Sequence, residues 1–577
     1  MTLRAIAIIS AVVLLVAYRF YGGLLVRLLR LDASTRTPAV DLCDDQDYVP
    51  IERSFLLSQH FSAIAAAGPI VGPILAGMMF GWLPALLWIL LGAIFVGGVH
   101  DITALVASIR HRARSIGEVV REHVSRRSYA FFLLFVWFAL AYIIVAFTDI
   151  TALSFSGVLQ LENGQSVSGG GIATSSALYL ALPVIMGLLI RFAKLRVGVA
   201  TIVFLPLVGV SIWLGQRIPI DLASITGLGA ADAHTAWTMI LLGYCLAASL
   251  VPMWLLLQPR GHLGGYFLYF SLAGGLLGLI ISGDRATYPA FTDWRAAGGE
   301  PLFPMLFIII ACGACSGFHA IVASGTTSKQ LRTETDAKLV GYGAMLLEAM
   351  VAVVSLACVM RLSQDSPLMT GVANPNFLYA QGIGSFLGAL GIPPAYAVAF
   401  ALMAFTTFVY DTLDVCTRLG RYIVEELTGW RGAAGKTFAA LLTVGVPAFF
   451  LLYHGSNAAG RVVPAWKLFW ELFGASNQLL AALTLLGLTV WLWRTRRALW
   501  VIPVLGLPTV VMYVMSTWAL VRIVAVELSK NGLGGNPVPW VGMLLVALAA
   551  LMIVEAGLAF LRPRLGPFGR APAAARL

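Results

Sequence analysis

The side chains able to do chemistry in this chain stand inside long apolar runs, where ionisable groups are costly and seldom idle. In the stretch Ala311 to Lys329, 3.6 residues per turn puts Ser316, His319, Ala323 and Thr327 on one helical face. Hydroxyls at Thr326, Thr327 and Ser328 suit Na⁺ coordination at the inner end of such a helix, and His319 could hydrogen-bond a substrate or relay a proton. The alternative is that the hydroxyls bond back to their own helix and the histidine to a neighbour. Cys312 and Cys315 have redox-pair spacing but no βαβ context, so they and the other four cysteines read as small packing residues.

A second constellation runs Ala65-Ala66-Ala67-Gly68-Pro69-Ile70-Val71-Gly72-Pro73, with two Gly and two Pro in mid-run. Proline removes amide donors and clashes with the preceding turn, so the carbonyls of Ala65 and Ala66 lose their partners. The functional reading is a discontinuous helix whose amides around Gly68, Pro69 and Gly72 meet a substrate carboxylate, while the freed carbonyls meet a cation. The other reading is a proline kink packed through Gly68 and Gly72, a GxxxG pair.

Further ionisable groups in apolar runs are His100, Asp101, Asp149, Glu348, Asp411, Asp414 and Glu471. A charge at mid-bilayer costs at least ~3 kcal/mol on insertion scales, so each should face the protein interior. Glu348 has no cation near it in sequence and suits either proton exchange at a coupling site or a structural acid. Asp411 and Asp414 stand at helical spacing from Arg418, which points to a structural ion pair. Asp101 is a gate charge or a satisfied helix residue; His100 and Asp149 fall in the same gate or structural class. HExxH, GxSxG and the GxxxxGK[ST] phosphate loop are all absent from the sequence, which argues against an intramembrane hydrolase and an ATP-driven pump. A nutrient sensor would need an output domain or a partner.

Helices must hold these residues. The 577 residues are 59% hydrophobic and 11% charged, with a mean hydropathy of +0.88, far from the globular balance of about 25% charged. Apolar runs give about fifteen spans, near residues 5–29, 62–80, 83–109, 129–160, 172–191, 197–215, 235–257, 263–282, 302–324, 339–361, 394–416, 437–454, 467–493, 499–523 and 538–561. The first, Ala5 to Leu29, is too long for a signal-peptide core and is expected to stay as a helix. The net charge of +11 sits in short loop clusters and not on a nucleic-acid-binding face. Arg110, Arg112, Arg114, Arg121, Arg126 and Arg127 follow the third span; Arg191, Lys194 and Arg196 the fifth; Arg260 the seventh; Lys329, Arg332 and Lys338 the ninth. Arg418, Arg421, Arg431 and Lys436 follow the eleventh, Arg494, Arg496 and Arg497 the thirteenth, and Arg562 and Arg564 the last. The loop with Glu162 is among the intervening ones, which are short, acidic or mixed. Positive charge concentrates on the cytoplasmic side, so the N-terminus is expected outside and the C-terminus inside a cytoplasmic membrane.

Spans two to six and seven to eleven form two units of five. An odd number inverts the second unit, the arrangement used for alternating access with a broken first helix in each unit. Pro252 is the candidate break of the seventh span. The expected fold is thus an all-α integral membrane protein of about fifteen transmembrane helices with a 5+5 inverted-repeat core and discontinuous helices. Its divisions are an accessory helix at 1–31, the core at 54–416 and C-terminal helices at 436–577.

The chain resembles the carbon starvation protein family of bacterial transporters. The resemblance is carried by His60 to Ala65 with Gly68 to Pro73, Trp82 to Asp101, Ser115-Ile116-Gly117-Glu118, Ala311 to Lys329, Asp411 to Asp414 with Thr417-Arg418, and Leu472 to Ala481. His100 stands where the family is expected to carry glutamine. The resemblance implies a secondary active transporter importing peptides or a pyruvate-like carboxylate during carbon limitation, with a core similar to the amino acid, polyamine and organocation superfamily. By that similarity the broken second span is the first core helix. Ala65 and Ala66, with Thr326, Thr327 or Ser328 of the eighth core helix, would then take the place of a sodium site, or the coupling ion is a proton. No cofactor beyond Na⁺ or H⁺ is implied.

Overall fold

The computed structural model describes the chain except residues 1, 45–47, 161–165, 253, 367, 369–373, 431, 453–463, 497, 533–536 and 562–577. Glu162, Arg431, Arg497, Arg562 and Arg564 of the sequence reading lie outside the described residues. Among the described residues the strands are one short antiparallel pair, Val158–Gln160 with Ser166–Ser168. Everything else of regular structure is helical, as a chain in lipid requires, since a helix satisfies its own backbone.

The helices that matter here are α1 (Leu3–Leu29), α2 (Arg53–Ile64), α3 (Gly68–Phe80), α4 (Trp82–Arg110), α5 (Ile116–His123), α6 (Arg126–Ser156), α7 (Gly169–Phe192), α8 (Val197–Arg217), α9 (Ala230–Leu250) and α10 (Leu257–Ser282). They continue with α11 (Leu302–Ile309), α12 (Gly317–Gly325), α13 (Glu334–Met360), α14 (Pro375–Gly388), α15 (Pro394–Thr428), α16 (Ala433–Leu452), α17 (Ala465–Arg496), α18 (Ile502–Lys530) and α19 (Val538–Leu561). Among the described residues thirteen are long and apolar enough to cross a membrane unbroken, and α2 with α3 makes a further span bent by 48°. The remaining expected span, 302–324, is divided into the short helices α11 and α12 by residues 310–316. Each of the fifteen apolar runs is therefore built on helix, two of them interrupted, with the fourth ending in the strand Val158–Gln160 and the seventh leaving its helix at Leu250.

The interruptions differ from expectation in one place. Pro252 does not break a span: α9 ends at Leu250, and Pro252 lies in the turn leading to α10, where a proline after a helix end costs nothing. The second interruption is two spans later, between Ile309 and Gly317.

Burial sorts the bundle into centre and rim. The most apolar windows of α15 and α17 are 94% buried and that of α13 89%, against 28% for α1 and α8. The rim helices turn Ile8, Leu15, Phe20, Ile202 and Val210 outward, which is the surface a bilayer covers. One end of the bundle gathers the basic loops. There Arg110 pairs with Glu334 at 2.9 Å, and Arg110 and Arg496 both donate to the carbonyl of Leu29 at the end of α1.

The two interrupted helices cross one another, and glycine is what lets them meet. A Cβ on Gly68 would lie 2.3 Å from Cys312 Sγ, and one on Gly72 would lie 2.4 Å from the Ile309 carbonyl oxygen. The backbone contact at Gly72 cannot yield as a flexible side chain could. Gly72→Ala should therefore lower the melting temperature of the detergent-solubilised protein, by an overpacking cost of about 1–3 kcal/mol. Gly445→Ala, where nothing lies within 4 Å, should not. Equal melting for both variants would remove the crossing from the account.

Candidate functional site

The first break follows from proline chemistry. Pro69 has no N–H to offer the carbonyl of Ala65, and the Ile70 amide, which would close on Ala66 in an unbroken helix, donates to Ala67 at 3.1 Å. Both carbonyls thus lose their helical partners where the bend occurs. The second break, Ile310 to Ser316, frees a longer stretch of backbone, and side chains from other helices satisfy it. Trp88 Nε1 on α4 donates to the Ile310 carbonyl at 3.3 Å. From α17, Gln478 Nε2 donates to the Cys315 carbonyl at 3.2 Å, and Asn477 Oδ1 accepts the Phe318 amide at 3.0 Å. Asn477 so caps α12 from another helix, a role usually taken by a residue just before the helix.

Behind this crossing lies a chain of buried titratable groups. Asp101 on α4 accepts from His100 Nδ1 at 2.7 Å and from His319 Nδ1 on α12 at 2.8 Å. His319 Nε2 faces Glu348 Oε2 on α13 at 3.1 Å, but off the line a hydrogen bond needs, so both Glu348 oxygens lack a hydrogen-bond donor among the described residues. His100, Asp101, His319 and Glu348 are all fully buried. A carboxylate accepts only, so the nitrogens facing Asp101 carry the protons. A proton arriving at or leaving Glu348 changes the charge beside His319 without breaking a hydrogen bond. Two widened helical turns adjoin the chain, Ala93–Gly97 in α4 and Lys338–Gly343 in α13, a distortion frequent at functional sites.

A second ionic cluster joins α2, α9, α10 and α15. Arg260 is fully buried, with Nε 3.0 Å from Asp411 Oδ1 and Nη1 on Asp414. Ser62, one turn before the first break, donates to Asp411, and Tyr244 donates to Asp414 at 2.7 Å. Between the two clusters is a cavity of about 20 Å³ lined by Gln59, His60, Ala63, Gly261, Thr326, Thr327 and Asp411. It has room for a single water, so the interrupted helices are closed upon each other in this conformation. His60 Nδ1 and Thr327 Oγ1 share a hydrogen bond of 2.9 Å across it. A groove of about 1210 Å³ opens alongside, lined by Ser54, Phe55, Gln258 and His262 and reaching Arg191 and Gln330.

Several expectations change. Ser316, His319 and Thr327 do not form one polar stripe: the helix starts only at Gly317, so Ser316 turns to Asn477, His319 to Asp101 and Glu348, and Thr327 to His60. Of the three hydroxyl residues, Thr326 and Thr327 both line the cavity, Thr326 also bonding back to Val322 at 3.0 Å, while Ser328 receives a bond from Ser108 of α4 at 2.9 Å and does not line it. Gly68, Pro69 and Gly72 are buried in the helix crossing, with Cys312 and Ile309 against the glycines, and not beside the cavity. Arg418 is not the partner of Asp411 and Asp414, since its guanidinium donates to the carbonyls of Ala248 and Val251 at 2.7 and 2.8 Å. That partner is Arg260, which belongs to no basic loop. Asp149 lies away from both clusters, accepting from the Trp466 amide at 2.7 Å and facing His234 at 3.4 Å.

Sequence reasoning passed over Arg260, His60, Asn477 and Gln478 as site residues. The signal existed for the last two: adjacent amide side chains in an apolar run must meet polar groups somewhere.

Comparison with known proteins adds the following. The family model Carbon starvation protein CstA matches residues 3–370 and 366–519. The pyruvate/proton symporter BtsT of Escherichia coli is 32% identical, over 89% of this chain and 81% of its own. The peptide transporter CstA of Helicobacter pylori is 31% identical, over 85% and 78%, and that of Bacillus subtilis 30%, over 84% of each. Among solved structures, a manganese transporter of Eremococcus coleocola aligns over 90% of this chain and 98% of its own at 13% identity and a TM-score of 0.44. MhsT in complex with L-phenylalanine aligns over 88% and 99% at 12% identity and a TM-score of 0.45.

Removing Arg260 would leave two carboxylates buried against each other. Arg260→Met should destabilise by about 3–5 kcal/mol, read as a lower melting temperature, and adding Asp411→Asn with Asp414→Asn should restore most of the loss. A single variant as stable as the parent would show that the cluster does not hold these helices together.

Proposed function

Because the chain belongs to the carbon starvation protein CstA family, we propose that this multi-pass membrane protein imports a small nutrient, a peptide or a pyruvate-like carboxylate, by proton symport. The observation that carries the coupling half of this reading is the buried series His100, Asp101, His319, Glu348, which links α4, α12 and α13. Its members sit on three separate helices, one of them half of an interrupted span. A proton on Glu348 alters the electrostatic tie between α12 and α13, and helices so tied are the ones alternating access must move. The printed name of the Escherichia coli relative, a pyruvate/proton symporter, supports the choice of proton. The names of the others, peptide transporters, support an importer and not an enzyme or a sensor.

In this reading His319, at the start of α12, together with the break beside Ser316, faces the arriving substrate once Gly68, Pro69 and Gly72 separate from Cys312 and Ile309. The cavity at His60, Thr326 and Thr327 is the closed remnant of that space, and the groove past Phe55 and His262 is its route to the inner side. Asp411 and Asp414 with Arg260 stay structural, as does Asp149. The transport core is 54–416, flanked by 1–31 and 436–577. The protein resides in a cytoplasmic membrane with the basic end, where Arg30, Arg110 and Arg496 gather, facing inward, so that the start of α1 faces outward.

A sodium site made of the Ala65 and Ala66 carbonyls with Thr326, Thr327 or Ser328 is the competing coupling. The two freed carbonyls favour it; the hydroxyls of Thr327, shared with His60, and of Ser328, shared with Ser108, do not. Uptake of labelled pyruvate and a labelled dipeptide into proteoliposomes under separate proton and sodium gradients distinguishes them, with Glu348→Gln and Thr327→Ala alongside. One solute should accumulate under the proton gradient. Glu348→Gln should cut that accumulation at least tenfold while solute exchange at equilibrium persists. Accumulation driven by sodium and lost only in Thr327→Ala would replace the proton with the cation; no accumulation of either solute would overturn the symporter reading.

A further inference from the structure

At the basic end of the bundle, outside both buried clusters, two histidines meet nitrogen to nitrogen. His111 closes α4 and His123 closes α5; their Nε2 atoms are 2.8 Å apart, with the rings nearly perpendicular at 85°. Glu122 precedes His123, and one ligand atom from each of the three residues lies within 4.8 Å of the others. The pair is oriented from behind. His111 Nδ1 donates to the Ala107 carbonyl at 2.6 Å, which places the ring's proton on Nδ1 and leaves a lone pair on Nε2. This backing of a histidine by a carbonyl is the outer-shell contact that metal-ligating histidines use. Arg494 donates to the His123 carbonyl at 2.7 Å, and Trp491 flanks the His111 ring at 5.5 Å. His123 is 1% exposed, and its Nδ1 has no hydrogen-bond partner among the described residues.

We propose that His111, His123 and Glu122 form a binding site for a divalent cation of the zinc class, which clamps the end of α4 to the end of α5. Two imidazoles and one carboxylate are a borderline-soft set that suits zinc and not magnesium or calcium, which take oxygen ligands. Three protein ligands leave a fourth tetrahedral position for water. At zinc–nitrogen distances of about 2.0–2.1 Å, two imidazole nitrogens on one tetrahedral ion stand about 3.3 Å apart. The two Nε2 atoms therefore part by about half an ångström, within the reach of side-chain rotation. Without metal, His123 brings the proton that the two Nε2 atoms share. With metal, that proton moves to Nδ1 of His123, so both rings bind neutral and no proton need be released.

The clamp falls beside α12, a helix that moves in the transport cycle proposed above. The residue after the intervening loop, Ile116, donates its amide to Ser324 Oγ of α12 at 3.2 Å, and Ser108, one turn before His111, holds Ser328. The metal site thus fixes the corner between α4 and α5 against which the inner end of α12 rests. The binding claim itself does not depend on what the protein transports.

The test uses the full chain with any affinity tag removed. Zinc binding is read by competition with a chromophoric chelator and by metal content after gel filtration, and the melting temperature is followed with and without zinc. The unaltered protein should hold one zinc per chain and melt higher with it, and Mg²⁺ should not compete. His111→Ala and His123→Ala should each weaken binding by at least about tenfold. Glu122→Gln, at an exposed side chain, should weaken it while leaving the metal-free melting temperature unchanged, which keeps the test decisive should a histidine variant fail to fold. No retained zinc in the unaltered protein, or zinc binding in Glu122→Gln and His111→Ala as tight as in the unaltered protein, overturns the site.

Discussion

Inside a bilayer a backbone group released from its helix has no water to turn to, and the two interrupted spans of this protein release many. The rest of the centre is arranged around that cost. Pro69 opens the first helix, and the long break from Ile310 to Ser316 opens the second. Trp88, Asn477 and Gln478 then supply the hydrogen bonds that the second helix no longer makes for itself. Those three side chains come from α4 and α17, so each must be held at a fixed height against the break. This is a physical reason for α17 to be buried along almost all of its length.

The same economy explains the glycines. Polar side chains can reach exposed backbone only if the helices approach closely, and approach is closest where no Cβ intervenes. Gly68 and Gly72 let α3 lie on the second break. Gly97 brings α4 to within 2.4 Å, measured from its would-be Cβ, of the Ala314 carbonyl oxygen, and Gly317 brings α12 equally near the Ala481 amide. The titratable series behind the crossing then needs no loop to build it. Asp101, His319 and Glu348 are each on a helix whose position the break has already set.

Charge in the centre is divided into two kinds of arrangement. Arg260 is surrounded by Asp411, Asp414 and Tyr244, with ion pairs and hydrogen bonds that, together with Ser62 on Asp411, join four helices, a geometry that resists change because any lost partner leaves a buried charge behind. Glu348 is the reverse, with a histidine at contact distance and, among the described residues, no hydrogen bond to either oxygen. A group held so loosely can change protonation with little structural penalty. One cluster is suited to holding helices and the other to releasing them.

Composition and periodicity by themselves determined a great deal. Fifteen apolar runs could only be helices in a membrane, because no other backbone conformation of that length satisfies itself in lipid. Pro69 and the paired glycines announced the first break, since proline's missing N–H is a local property. The buried character of Asp101, His319 and Glu348 was also legible, from the cost of charge within apolar runs. Only the tertiary structure decided who meets whom. His319 is 218 residues from Asp101 and Arg260 is 154 from Asp414, so no sequence spacing relates them, and Arg418, the near partner by helical spacing, turns instead to carbonyls. The second break carries no proline, and its place depends on Asn477 and Gln478 being there to satisfy it, a fact set by packing between helices and invisible along any one of them.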